Sequence, residues 1–80
     1  MTRLVHRSIE VECGDDGGPR RFRDGSQVYS VVEVIDDWRE MGAWWRGHGE
    51  RSVWRVLTED DYVFEIECRA GQWRLYRVWD

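Results

Sequence analysis

Tryptophan and arginine stand side by side four times, at Trp38-Arg39, Trp45-Arg46, Trp54-Arg55 and Trp73-Arg74. Rings that stack on bases, next to cations that hold phosphate, would make a single-stranded nucleic-acid surface. Exposed Trp with Arg is equally the composition of a protein-interface hot spot. Neighbours in a strand face opposite sides, however, so the dipeptide is also the plain pattern of ring inward and charge outward. On that ground Trp54 and Trp73 are assigned to the core.

Trp44 and Trp45 differ because they are adjacent and flanked by Gly42 and Gly47. Two neighbouring rings do not both fit one small core, so at least part of the pair is expected at the surface. Together with Arg39, Arg46 and His48 they form the expected partner-binding site. The alternative, a nucleic-acid contact, falls on Arg20, Arg21 and Arg23.

Catalysis finds little support in the residue types. There is no nucleophile elbow, no phosphate loop, and only two histidines, His6 and His48. The acid pairs Asp15-Asp16, Asp36-Asp37 and Asp60-Asp61 fall at expected strand ends and read as solvated turn residues. Cys13, Cys68, His6 and His48 have no metal-ligand spacing, so neither a metal nor a cofactor is expected. The chain is therefore read as a non-catalytic module.

Composition limits the partners. Sixteen acidic residues against twelve basic ones, all of them Arg, leave a formal charge of −4. A net acidic chain is a poor non-specific polyanion binder, which disfavours nucleic acid. The start of the chain lacks the apolar segment of a signal peptide and two cysteines are few for a disulfide scaffold, so reduced thiols and a cytoplasmic location are expected. No apolar run is long enough for a membrane-spanning helix.

Eighty residues suit one domain, residues 1–80, built as a small β-barrel. Leu4 to Cys13 alternates, with Ile9, Val11 and Cys13 on one face and Glu10 and Glu12 on the other. Residues 14–19 read as a loop. Asp24-Gly25 is a hairpin signal that sets Phe22 opposite Gln27 and Arg21 opposite Val28. Val28 to Ile35 is apolar on both faces, as expected of a strand buried between layers or bent round a barrel.

Asp36-Asp37 should mark where that strand leaves the core, and Trp38 to Trp45 could hold one short helical turn. Arg51 to Thr58, Tyr62 to Arg69 and Gln72 to Trp79 form a three-stranded meander. A turn at Ala70-Gly71 pairs Cys68 with Trp73, Glu67 with Arg74, Ile66 with Leu75, Val63 with Val78 and Tyr62 with Trp79. Upstream, Leu57 should face Phe64 and Val53 should face Cys68. The fold class is thus all-β: a small antiparallel barrel or strongly bent sheet of about six strands.

The pattern Pro19, Arg21-Phe22, Gly25, Tyr29, Val31, Val34, Trp38, Gly42, Trp44-Trp45, Arg51, Trp54-Arg55, Phe64-Glu65, Trp73, Leu75 and Arg77 resembles a small bacterial family of unknown function. It is also similar to the C-terminal region of catalytically inactive Y-family polymerase-like proteins of the translesion mutasome. The resemblance implies a protein-interaction adapter connected with DNA repair. Gln72-Trp73-Arg74-Leu75-Tyr76 loosely resembles a sliding-clamp-binding peptide, but it is expected to be a paired strand and so closed to docking. A homodimer through an open edge strand, supplied by the first strand or by Arg20 to Arg23, is a further expectation.

Overall fold

A computed structural model describes residues 2–41 and 49–79, with side chains from residue 5 onward. Those residues form seven strands, β1 (Thr2–Ser8), β2 (Glu10–Cys13), β3 (Pro19–Asp24), β4 (Gln27–Met41), β5 (Glu50–Thr58), β6 (Val63–Arg69) and β7 (Gln72–Trp79), and no helix. All neighbours are antiparallel, in the order β1-β7-β6-β5-β4-β3-β2. The sheet curls into a half-barrel.

Two strands make the corners by changing partners. The expected first strand breaks at Ile9, so that β1 pairs with β7 and β2 pairs with β3. At the break the Ile9 amide donates to the Trp73 carbonyl at 3.2 Å, and its side chain enters the core. Likewise β4 pairs with β3 up to Ser30 and with β5 from Val31 onward. One residue run expected as a single strand thus counts as two, which is why six became seven.

The inner face holds Ile9, Phe22, Val56, Phe64, Ile66, Leu75 and Val78, with Tyr29, Trp54 and Trp73 packed against them. Phe22 stacks on Tyr29 at 5.2 Å and meets Phe64 edge-on at 5.2 Å. Rings of this size bury much apolar area from few residues, which suits so short a chain. Trp54 and Trp73 lie 5.1 Å apart on this same face, the core-side position expected of both.

The first hairpin turns at Gly25-Ser26, not Asp24-Gly25: Asp24 pairs with Gln27 and Phe22 with Tyr29. Gly25 takes the left-handed φ of 63° that opens such a two-residue loop, and the shift lets Phe22 stack on Tyr29. Because the shift is two residues, every side chain keeps its face. The β6–β7 turn at Ala70-Gly71 is as expected, with φ of 52° and 78°.

The registers predicted between β5 and β6 are off by one. Leu57 pairs with Val63 and Val53 with Glu67, because Thr58 closes the turn by donating its amide to the Tyr62 carbonyl at 3.0 Å. In β6–β7 the expected pairs hold for Cys68, Glu67 and Ile66, and then a bulge at Tyr76 moves Val63 onto Trp79 and Phe64 onto Val78.

Strand β4 departs most from expectation. Val28, Val32, Val34 and Ile35 are 39–56% exposed, so this strand is not buried on both faces. It does bend as expected, but its second half continues as a strand through Met41, and Trp38 to Met41 is no helical turn. Bulges at Val32 and Ile35 interrupt its pairing with β5. Strand β7, which carries the clamp-like pentapeptide, is paired on both sides, as expected.

Candidate functional site

The outer face of the β4–β7 sheet carries an arrangement that strand alternation alone does not deliver. Val56, Phe64, Ile66 and Leu75 point inward, so Arg51, Val53, Arg55, Glu65 and Glu67 point outward. Had β4 run without interruption, Trp38 would share the inward face of Val34. The bulge at Ile35 inverts the alternation, sets Trp38 opposite Val53 and places the ring outside. The bulge at Tyr76 does the same for Arg77 and Trp79, putting Val78 in the core instead.

On this convex face rings and guanidiniums interlock. The Arg51 guanidinium lies 4.9 Å from the Tyr76 ring centre, Arg55 is 5.5 Å from Trp38 and 5.6 Å from Trp79, and Arg77 is 5.5 Å from Tyr76 and 5.8 Å from Trp79. Each such contact contributes about 0.5–1 kcal/mol where exposed and more when desolvated.

Beneath the rings sit two nearly buried carboxylates. Glu65, only 2% exposed, accepts from Trp79 Nε1 at 2.9 Å and Arg55 Nη2 at 3.2 Å, with Arg77 Nη1 at 3.9 Å. Glu67 accepts from Arg51 Nη1 at 2.6 Å. Arg51 turns its other nitrogen, Nη2, to Glu40 Oε2 at 3.0 Å, which also accepts from Trp38 Nε1 at 2.7 Å. Val53, 1% exposed yet outside the inner cluster, is the apolar centre of this second layer.

Electrostatics follow from these bonds. The Trp38 indole, then Arg51, hold the Glu40 carboxyl below its ordinary pKa. Burial pulls the Arg51 guanidinium down, but the bonds to Glu67 and Glu40 more than offset it and keep the group charged. Arg55 Nε and Arg77 Nε are buried without an acceptor among the described residues.

The residues singled out from sequence fare differently. Trp44, Trp45, Arg46 and His48 lie outside the described residues. Arg39 is on the concave side opposite Ser52, 3.4 Å from Glu50 through Nε. Trp38-Arg39 therefore reverses the ring-inward pattern, whereas Trp54-Arg55 keeps it. The three-arginine run does not form a free cationic patch: Arg21 faces Glu12 at 3.4 Å and Arg23 faces Glu10 at 2.6 Å, while Arg20 borders a shallow recess with Asp15 and Asp16.

On the concave side an open groove of about 510 Å³ runs between the Asp16–Gly18 loop and the wall of Asp37, Arg39 and Trp54. Burial pushes the Cys68 thiol up, and Cys13 is exposed. Among the described residues no three His, Cys, Asp or Glu side chains form a metal-binding group, and no helix is long and apolar enough to cross a membrane.

Sequence reasoning missed Arg51, Arg55, Glu65, Tyr76, Arg77 and Trp79. The signal was the spacing of Arg51 and Arg55 against Glu65 and Glu67, which meets in space only in the observed β5–β6 register. No curated protein and no solved structure matches the chain. The sequence matches over residues 1–80 a family described as a domain of unknown function (DUF6504), and the chain belongs to that family.

Proposed function

We propose that this domain is a non-catalytic binding module that docks a protein partner on the convex face centred on Trp38, Arg51, Arg55, Tyr76, Arg77 and Trp79. The observation that carries the reading is the lattice of guanidiniums stacked on three aromatic rings over buried Glu65 and Glu67. Trp, Tyr and Arg dominate interface hot spots, and a pre-ordered surface loses little side-chain entropy on binding. Two bulges re-aim the rings outward, and bulges of this kind gather at functional surfaces.

Residues 42–48 connect β4 to β5, the strands that bear Trp38 and Arg51, and bring Trp44, Trp45, Arg46 and His48 to the same composition. The likeness of the aromatic pattern to the C-terminal region of mutasome polymerase-like proteins supports an adapter role connected with DNA repair. The test is affinity capture by the immobilised domain from its native lysate, with partners identified by mass spectrometry. A partner retained by the wild type and by Val28→Ser should be lost with Trp79→Ala and Arg77→Ala. An identical captured set for all four proteins would refute the assignment of this face.

A further inference from the structure

From Val31 to Met41, β4 has β5 on one side and, among the described residues, no strand on the other, because β3 pairs only with Gln27–Ser30. An open row of backbone donors and acceptors is a template for another strand. The Asp37 amide identifies which groups point outward, since it donates to Asp36 Oδ1 at 2.9 Å. In an antiparallel ladder successive residues turn both their polar groups toward one neighbour and then the other. Asp37, Arg39 and Met41 therefore present theirs to the open edge.

We propose that this edge pairs with the same edge of a second copy about a two-fold axis at Trp38. Beyond the bulge at Ile35 the segment Asp36 to Met41 is regular. Among registers that set outward groups against outward groups, only those centred on Trp38 and on Arg39 pair five of its residues. Centring on Arg39 puts Arg39 against its own copy, and like charges directly opposite are destabilising. Centring on Trp38 puts Asp37 of each copy opposite Arg39 of the other, so the same attraction occurs twice.

Both side chains occupy the concave side, because their partners in β5 are Trp54 and Ser52. The Arg39 side chain is 78% exposed and holds a 3.4 Å ion pair with the exposed Glu50, which it shares or exchanges on reaching across the edge. Trp38 meets Trp38 of the other copy on the convex side as a pair without mutual hydrogen bonds, the type in which side chains approach most closely. Asp36 falls opposite Glu40 in both directions, a like-charge pair that opposes the dimer, and the bonds from Arg51 and the Trp38 indole to Glu40 reduce that repulsion. The bulges at Val32 and Ile35 limit the pairing to this short segment and oppose longer strand stacking.

Sedimentation of the full chain over rising concentration tests the pairing. The wild type should dimerise, Asp37→Arg and Arg39→Asp should each weaken the dimer by roughly tenfold or more, and the double reversal D37R/R39D should restore it. Both positions are exposed, and circular dichroism is the check that each variant is folded. A wild type that stays monomeric near millimolar concentration overturns the proposal. So do single variants that dimerise like the wild type, or a double reversal that fails to recover.

Discussion

Arg51 donates from Nη1 to Glu67 at 2.6 Å and from Nη2 to Glu40 at 3.0 Å, so one guanidinium ties β4, β5 and β6 together on the outside of the sheet. The side chains of Arg51 and Glu67 are only 16% and 10% exposed, so the two charges meet with little solvent between them.

Removing Arg51 takes away the bond to the nearly buried Glu67, whereas removing Glu67 leaves Arg51 its bond to Glu40. Arg51→Ala should therefore lower unfolding free energy by about 1–3 kcal/mol, whereas adding Glu67→Ala should recover part of that loss. Urea denaturation of the two single variants and the double variant measures the coupling. Simple additivity would show that the two side chains do not act as a pair.

The bonds from the Trp38 indole and then Arg51 depress the Glu40 pKa in the folded state. The folded protein then binds protons less readily there than the unfolded chain. The contribution is present above the ordinary carboxylate range and is lost as pH falls through the depressed value. Acid titration followed by tryptophan fluorescence should show that Glu40→Gln has a shallower loss of stability than the wild type. The Glu40 carboxylate is 45% exposed, which keeps the effect small and salt-sensitive.

Burial along the chain also separates two apolar groups that look alike in sequence. Phe22, 1% exposed between Tyr29 and Phe64, should lose about 3–5 kcal/mol on truncation to Ala. Val32, 56% exposed, should change stability by no more than about 0.5 kcal/mol as Val32→Thr. Chemical denaturation that ranked the two equally would contradict the exposed path of β4.

Ala70 adopts φ of 52° at the first position of its turn, a conformation that disfavours most side chains other than Gly, Asn and Asp. Ala70→Asn should raise the unfolding free energy by about 1 kcal/mol without altering the strands, because Asn-Gly suits this turn type. Thermal melts of the two proteins decide it.

What the sequence reveals, and what it conceals, both trace to alternation. The meander was legible because Ala70-Gly71 fixes a turn and each pair out to Ile66 and Leu75 is chemically matched. The β4 bulges and the Tyr76 bulge were not legible. A bulge changes the parity of every later residue and carries no residue signature here, since Val32, Ile35 and Tyr76 are ordinary strand formers. The outward turn of Trp38 and Trp79, and with it the convex cluster, was lost in those single steps. Val28 to Ile35 misled for another reason: β propensity reports a fit to a pleated backbone, and edge positions satisfy it without burial.

The break at Ile9 also sets an order of events. The strands that join both ends of the sheet, β1 and β2, precede the other strands in the chain, and the carbonyl that receives the Ile9 amide, on Trp73, belongs to the seventh strand. The β5–β6 and β6–β7 hairpins need only neighbouring residues and can form within microseconds, but closure must wait for β7. Until then β1 holds an unpaired edge, and a long-range closing step of this kind is slow and leaves that edge open to mispairing.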